Sequence, residues 1–250
     1  MKSSKLNSLA EKIIRVATYN VHKCRGLDFR VQPERIADVV QELDADIVAL
    51  QEVLHRPGDP GPPNQTELIA LRTGYEFVFG ENREHLGRPY GNATLSRLPI
   101  LGSENYDITW RRRERRGCLR ADIRALGTTL HVFNVHLGTS FFERPHQARR
   151  LLSAEITSAT TLQGPRIVMG DFNEWTRGIA TRVMGENFAS VDYKLHARRR
   201  SSYPGVLPLL HLDHFYFDRH LKLRHYKLHR SRKALIASDH LPIVAEFVLA

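Results

Sequence analysis

Apolar positions recur along this chain with two periods, and the switches between them mark out its elements. Ile14 to Val21 alternates, with Arg15, Ala17, Tyr19 and Val21 on one side and Ile14, Val16, Thr18 and Asn20 on the other, which predicts a strand. From Pro33 to Leu43 the period lengthens: Ile36, Val39, Val40 and Leu43 fall at helical spacing behind a proline at a favoured first position. Asp46 to Leu50 is again short and apolar and delivers Gln51 and Glu52. A strand, a crossover helix and a second strand put Asn20 and Glu52 at neighbouring strand ends if the strands are parallel and adjacent.

The remaining elements read in the same way. Arg56 to Pro63 is a Gly/Pro-rich loop, Thr66 to Thr73 a short helix, Tyr75 to Gly80 a strand, and Tyr90 to Arg97 a strand start of small residues ended by Pro99. Cys118 to Leu126 and Leu130 to Leu137 are strands, the second carrying Leu130, Val132, Asn134 and His136 on one face. Glu143 to Leu162 reads as the longest helix, with Ala148, Leu151, Leu152, Glu155, Ala159 and Leu162 on one side. Ile167 to Met169 then reads as a strand buried on both faces, and Gly170 turns the backbone so that Asp171 and Asn173 project from its C-terminal end. A short helix over Ile179 to Met184, a loop over Arg198 to Leu209, and strands over Leu212 to Phe217, Leu221 to Leu228 and Leu241 to Leu249 complete the chain.

Composition narrows the class. With 250 residues, 42% of them hydrophobic, residues 13–250 are expected to form one α/β domain behind a flexible lead-in over 1–12. No run approaches the 18 or more apolar residues of a membrane span. Asn7, Glu11 and Lys12 break up any signal-like apolar region, and Cys24 and Cys118 lack metal-type spacing. Both observations point to a cytoplasmic protein, and no obligate protein partner is evident. A net charge of +10 implies attraction to polyanions: nucleic acid, an anionic phospholipid surface or small phosphoesters. That charge is concentrated in Arg111, Arg112, Arg113, Arg115 and Arg116, in Arg198 to Arg200, and in Lys222 to Lys233. The first run falls in an expected hairpin loop before the Cys118 strand, where it either reaches over a site or stays solvated.

The chemistry-bearing residues collect at strand ends: Asn20, Glu52, His136, Asp171 with Asn173, and Asp239 with His240. Each alone reads as a turn, a cap or a surface group. Together, carboxylates with an amide oxygen form a hard oxygen site suited to Mg²⁺ or Mn²⁺ rather than zinc. No Gly-x-Ser-x-Gly elbow occurs, which argues against a serine nucleophile. What remains is metal-assisted hydrolysis. Asp213, inside the apolar strand LDHFYFD, is expensive there unless it is paired.

In these pieces the chain resembles the endonuclease/exonuclease/phosphatase superfamily, which includes deoxyribonucleases, abasic-site endonucleases, neutral sphingomyelinases and inositol polyphosphate phosphatases. The matching stretches are TYNVH at 18–22, LQEV at 50–53, GNATLSR at 91–97, VFNVHLG at 132–138, GDFN at 170–173, LDHFYF at 212–217 and SDH at 238–240, in family order. The resemblance implies a four-layer sandwich of two stacked mixed sheets flanked by helices, with the site at one edge. It implies that Glu52 binds the metal, that Asn20 helps bind or position it, and that Asp239 lies in or next to its coordination shell. Asp171 would orient the water, Asn173 hold a phosphate oxygen, His240 face the scissile phosphate and Asp213 orient His240. Asn92 and the arginines Arg113, Arg115 and Arg116 would contact substrate. His136 stands where the abasic-site branch has a tyrosine, so the chain looks more like the deoxyribonuclease and sphingomyelinase branch. His22 replaces an acidic residue of some members, which leaves one metal or two open. The opening TYNVHKCRG is most similar to small bacterial hydrolases of this superfamily. The resemblance implies a Mg²⁺-dependent phosphodiesterase. The basic runs point it first to nucleic acid, with a phospholipid head group or a phosphomonoester as alternatives and a non-catalytic polyanion-binding module as the remaining reading.

Overall fold

Two strand–helix–strand crossovers organise the molecule. In the computed structural model, which describes residues 12–55, 64–175, 178–191, 201–205, 207 and 209–250, β1 (Ile14–Asn20) leads through α1 (Pro33–Leu43) into β2 (Ile47–Leu54), and β1 and β2 pair in parallel with Asn20 opposite Gln51. The lead-in to residue 11, the loop 56–63 and the basic run 198–200 lie outside the described residues.

The second crossover runs from β7 (Thr128–His136) through α3 (Arg144–Leu151) to β8 (Arg166–Asp171), again in parallel, with His136 opposite Asp171. Antiparallel strands extend each pair. The first sheet, reached from β2 through α2 (Gln65–Thr73), adds the hairpin β3 (Glu76–His85) and β4 (Arg88–Ser96), then β11 (Leu221–Leu228) and β12 (Ile243–Leu249), in the order β11-β12-β1-β2-β4-β3. The second adds β5 (Ile100–Asp107), β6 (Gly117–Ala125), β9 (Ala189–Ser190) and β10 (Asp213–Phe217), in the order β5-β6-β7-β8-β10-β9. Two further helices among the described residues are α4 (Ile179–Gly185) and α5 (Arg232–Ala237).

Strands buried on both faces produce the layers. Val16, Ile47, Ala49, Val132, Ile167, Met169, Phe215 and Phe247 form one cluster between the sheets. Ala17, Tyr19, Val48 and Leu50 turn the other way, to Ile36, Val40 and Ile69 of α1 and α2. Phe133, Val135, Val168 and Tyr216 likewise meet Ala148, Leu151, Val183 and Met184 of α3 and α4. The order is helix, sheet, sheet, helix, the four-layer α/β sandwich.

One expectation is corrected and one unassigned stretch is filled. The helix expected over Glu143 to Leu162 is helical only to Leu151, because Thr157 turns back on the helix end. Its hydroxyl donates to the Leu151 carbonyl at 2.6 Å and its amide to the same oxygen at 3.0 Å, and a Ser/Thr-rich stretch favours such local bonds over helix. The unassigned stretch after Pro99 is β5, an edge strand whose exposed polar residues hide its alternation.

Candidate active site

The two parallel pairs point the same way, so their C-terminal ends meet at one end of the sandwich. Asn20 of the first sheet donates from Nδ2 to Asp171 Oδ2 of the second at 3.0 Å and to Glu52 Oε1 at 3.3 Å. Beneath this junction Gln51 Nε2 donates to Asn134 Oδ1 at 2.8 Å, and Asn134 Nδ2 donates to the carbonyls of Leu50 and Ala93, a buried polar layer that fixes one sheet against the other. Asn92 belongs to this layer. It is buried and gives its amide hydrogens to Gly117 O and Asn134 O, at the floor of the site.

Local backbone irregularity aims the side chains. The register of β2 against β4 shifts between Leu50 and Val53, a bulge at the position of Glu52, whose φ is 60°. His22, Lys23 and Cys24 are left-handed as well, and so is Asn173 at φ 49°. Non-glycine residues in this region are uncommon and gather where surrounding structure over-determines them. Gly170 has a φ of 146°, and a Cβ there would lie 1.9 Å from the carbonyl oxygen of Val135 on β7, which is why GDFN begins with glycine.

Asp171 is the centre. Its Oδ1 accepts the Asn173 amide at 2.8 Å, while Oδ2 faces His136 Nε2 and His240 Nε2, each at 3.7 Å. Burial, reinforced by Asp213 and opposed by His240 and Asn20, raises Asp171 to about 7. Burial disfavours the charged form of His240, but the Asp213 carboxylate outweighs it. Asp213 Oδ2 accepts from His240 Nδ1 at 2.9 Å and, with Asp171, raises His240 to about 10. Asp213 also accepts from the Ser202 hydroxyl at 2.5 Å, so the carboxylate inside a strand is paired twice. His136 is the opposite case: burial and then the Arg116 charge push it well below its ordinary value. A guanidinium can only donate. Arg116 Nη1, 3.1 Å from His136 Nδ1, therefore leaves the imidazole proton on Nε2, facing Asp171.

Glu52 lies beside this cluster with a cation already on it. Lys23 Nζ is 2.9 Å from Oε2, and although burial works against ionisation, the charges of His136 when protonated and of Lys23 hold the carboxyl well below its usual range. Asn20 donates from Nδ2 to the two carboxylates, and its Oδ1 accepts the His22 amide at 3.0 Å. Asp239 is reached through His22 Nδ1 at 3.6 Å and Ser238 Oγ at 3.3 Å. Asn173 is held by its own Nδ2, which donates to Leu137 O at 2.9 Å.

The arginine run divides. Arg111, Arg112, Arg113 and Arg115 are exposed in the β5–β6 hairpin loop, which rests on α3 through Trp110 stacked on His146 at 4.8 Å. Arg116 is only 6% exposed, pinned between His136 and Glu114, which in turn pairs with Arg83. Sequence reasoning did not single out Lys23, Tyr90 or Tyr203. Lys23 follows the TYNVH stretch directly, Tyr90 sits near Lys23 and Glu52, and Tyr203 packs its ring 4.9 Å from that of His240. Lys23 and Tyr90 each stand directly beside a matching stretch, TYNVH at 18–22 and GNATLSR at 91–97, and Tyr203 had no such signal.

A model of the Endonuclease/Exonuclease/phosphatase family matches residues 17–240, spanning every site residue above. The chain belongs to this family. It is thereby placed among phosphoester hydrolases. It is 32% identical to the uncharacterized protein YbhP of Escherichia coli strain K12, over 94% of this chain and 96% of that one. The family's fold is repeated in the endonuclease/exonuclease/phosphatase from Beutenbergia cavernae DSM 12333, with a TM-score of 0.78, 20% identity, and coverage of 96% of this chain and 72% of that one. A mannosyl-6-phosphatase of Bacteroides thetaiotaomicron VPI-5482 superposes with a TM-score of 0.75 at 19% identity, over 94% and 99% of the respective chains.

Proposed function

We propose that this chain is a divalent-cation-dependent phosphodiesterase in which Asp171 receives the proton of the attacking water. The observation that supports it most is the placement of Asp171 Oδ2, hydrogen-bonded by Asn20 at 3.0 Å and faced by two imidazoles at 3.7 Å each. A carboxylate raised to about 7 is half ionised near neutral pH and so suits a general base. His240, kept cationic by Asp213, presents Nε2–H to a phosphoryl oxygen and stabilises the charge that builds there. His136, neutral with its proton on Nε2, donates without adding a full charge. Asn173, locked to the Leu137 carbonyl, contributes a second neutral donor, and Asp239 with Glu52 completes the acidic side of the cleft.

The cation assigned here is Mg²⁺ or Mn²⁺. The residues fit one: Glu52 is an ionised hard-oxygen donor whose present partner, the Lys23 ammonium, marks a place tuned for positive charge. When bound, a divalent ion would polarise a phosphoryl oxygen. The group of Asp171, Asp213 and His240, whose ligand atoms lie within 4.8 Å, fits a cation less well because the His240 imidazolium has no lone pair to give. The four exposed arginines suit a phosphodiester flanked by further negative charge, as in nucleic acid or an anionic lipid layer. Hydrolysis of bis-p-nitrophenyl phosphate with Mg²⁺ or Mn²⁺, lost in Asp171→Asn, tests the reading; no turnover of any phosphoester by the parent chain would sink it.

A further inference from the structure

The chain's exposed apolar side chains are unevenly placed. Among the described residues four phenylalanine or tryptophan side chains are exposed, Phe29, Phe141, Phe142 and Trp175, and all four stand on segments that follow strands ending in site residues. Phe29 lies beyond Asn20 of β1, the Phe141–Phe142 pair beyond His136 of β7, and Trp175 two residues past Asn173. Two leucines join them. Leu86, 91% exposed, is the tip of the β3–β4 hairpin, at the end where Tyr90 pairs with Leu54 just past Glu52. Leu209 is hydrogen-bonded through its amide to the carbonyl of Tyr203, the residue packed on His240. At the far end of the sheets the exposed apolar side chains among the described residues are aliphatic, Ile13, Leu101 and Leu249, and there Leu71 of α2 lines a groove with Leu101, Tyr75 and Phe77.

Apolar side chains that project from five separate segments at the site's end of the sheets are what a protein presents to a surface. Beside them stand Arg111, Arg112, Arg113 and Arg115, exposed and carried by the loop that Trp110 seats against His146. Arginine next to projecting Phe, Trp and Leu is the composition of an anionic lipid interface: the rings and branched chains enter the headgroup and acyl boundary while the guanidinium groups meet phosphate.

Stacking on single-stranded nucleic acid also uses aromatic groups with arginine, but needs flat ring faces along a track. Here the Phe141 and Phe142 rings meet edge to face, at 84° and 5.7 Å, forming a knob. Leu86 and Leu209 have no π-face to offer a base.

We propose that these projecting side chains dock the chain on an anionic phospholipid bilayer, so that the phosphoester drawn into the cleft is a lipid headgroup. The inference rests on the hydrolase reading for what happens in the cleft, but the docking is tested without turnover. The full chain is mixed in EDTA with vesicles of phosphatidylcholine, with vesicles containing an equal part of phosphatidylglycerol, and with a thymidine oligonucleotide. The parent is expected to sediment with the phosphatidylglycerol vesicles and far less with phosphatidylcholine. The double variant Phe141→Ser/Phe142→Ser and the single variant Trp175→Ser, all at exposed positions, should each weaken vesicle binding about tenfold or more at unchanged Tm.

A parent that stays in the supernatant with both vesicles overturns the proposal. So do variants that bind vesicles as the parent does, and so does an oligonucleotide bound more tightly than the vesicles and released by the same substitutions. A chain that hydrolyses no ester can still pass this test, and an active one can still fail it, so the two readings fall separately.

Discussion

Asp213 and His240 meet at 2.9 Å although they belong to different sheets, Asp213 opening β10 and His240 standing just before β12. The pair therefore exists only when the sandwich is closed, and it keeps His240 cationic up to about pH 10. Asp213→Asn should leave the fold intact, lower kcat by about 10²-fold or more, and move the alkaline limb of the kcat profile to lower pH as the imidazolium loses its partner. An unchanged kcat and limb would make Asp213 a structural residue only.

Chelation follows from Glu52. Activity should vanish in EDTA and return with Mg²⁺ or Mn²⁺. Glu52→Gln, which keeps the shape but removes the charge facing Lys23, should raise the metal concentration for half-activity at least about tenfold. Isothermal titration of metal into the variant gives the same comparison without turnover. Full activity in chelator would remove the mechanism.

Asp171 illustrates a trade of stability for activity. Its folded pKa, about 7, lies above the ordinary 3.8, so the fold favours the protonated acid. That stabilisation is full below about pH 4 and is lost as pH rises through 7; His240 continues the same slope, its contribution present below about 6.5 and lost through 10. Asp171→Asn cannot ionise. It should be inactive yet melt about 2 to 8 °C higher than the parent at pH 8 in EDTA, with the difference closing by pH 4. Equal melting temperatures at pH 8 would show that the buried charge is fully compensated.

These cases show what can be read from one chain. The strand buried on both faces at Ile167 to Met169 was legible because those residues form an apolar run that no exposed strand tolerates, and the first crossover followed from strand–helix–strand spacing. The resemblance supplied the four layers and the order of the site residues. Local competition stayed hidden: nothing in the helical pattern after Leu151 reveals that Thr157 will turn back on it. The bulge that re-aims Glu52 and the burial of Arg116 depend on partners far away in sequence, Leu95 to Gly91 in one case and His136 in the other. Five arginines in one run looked alike, and only tertiary structure separates the buried one.

Gly170 carries the sharpest steric prediction. With φ at 146° and the Val135 carbonyl 1.9 Å from where a Cβ would stand, neither backbone can yield without breaking the β7–β8 pairing that aligns His136 with Asp171. Gly170→Ala should cost about 3 kcal/mol or more in urea denaturation, and the surviving folded fraction should be nearly inactive. A loss below about 1 kcal/mol would mean that the strand relaxes freely.

The division within the arginine run predicts a split in kinetics. Arg112, Arg113 and Arg115 are exposed, and contacts they would make to charges flanking the scissile group would be the same in the ground and transition states. Such uniform binding lowers KM, leaves kcat nearly unchanged and weakens as salt screens it. Replacing all three by serine should therefore raise KM at least about tenfold on a polyanionic or anionic-vesicle substrate at low salt, with the gap closing at high salt. Bis-p-nitrophenyl phosphate, with no flanking charge, should register almost nothing. Arg116 lies 3.1 Å from His136 Nδ1, so its effect is expected in the chemical step. Arg116→Gln should lower kcat about 10²-fold on both kinds of substrate. If the triple variant and Arg116→Gln change the same parameter on the same substrates, the run acts as one electrostatic patch and the distinction drawn from burial fails.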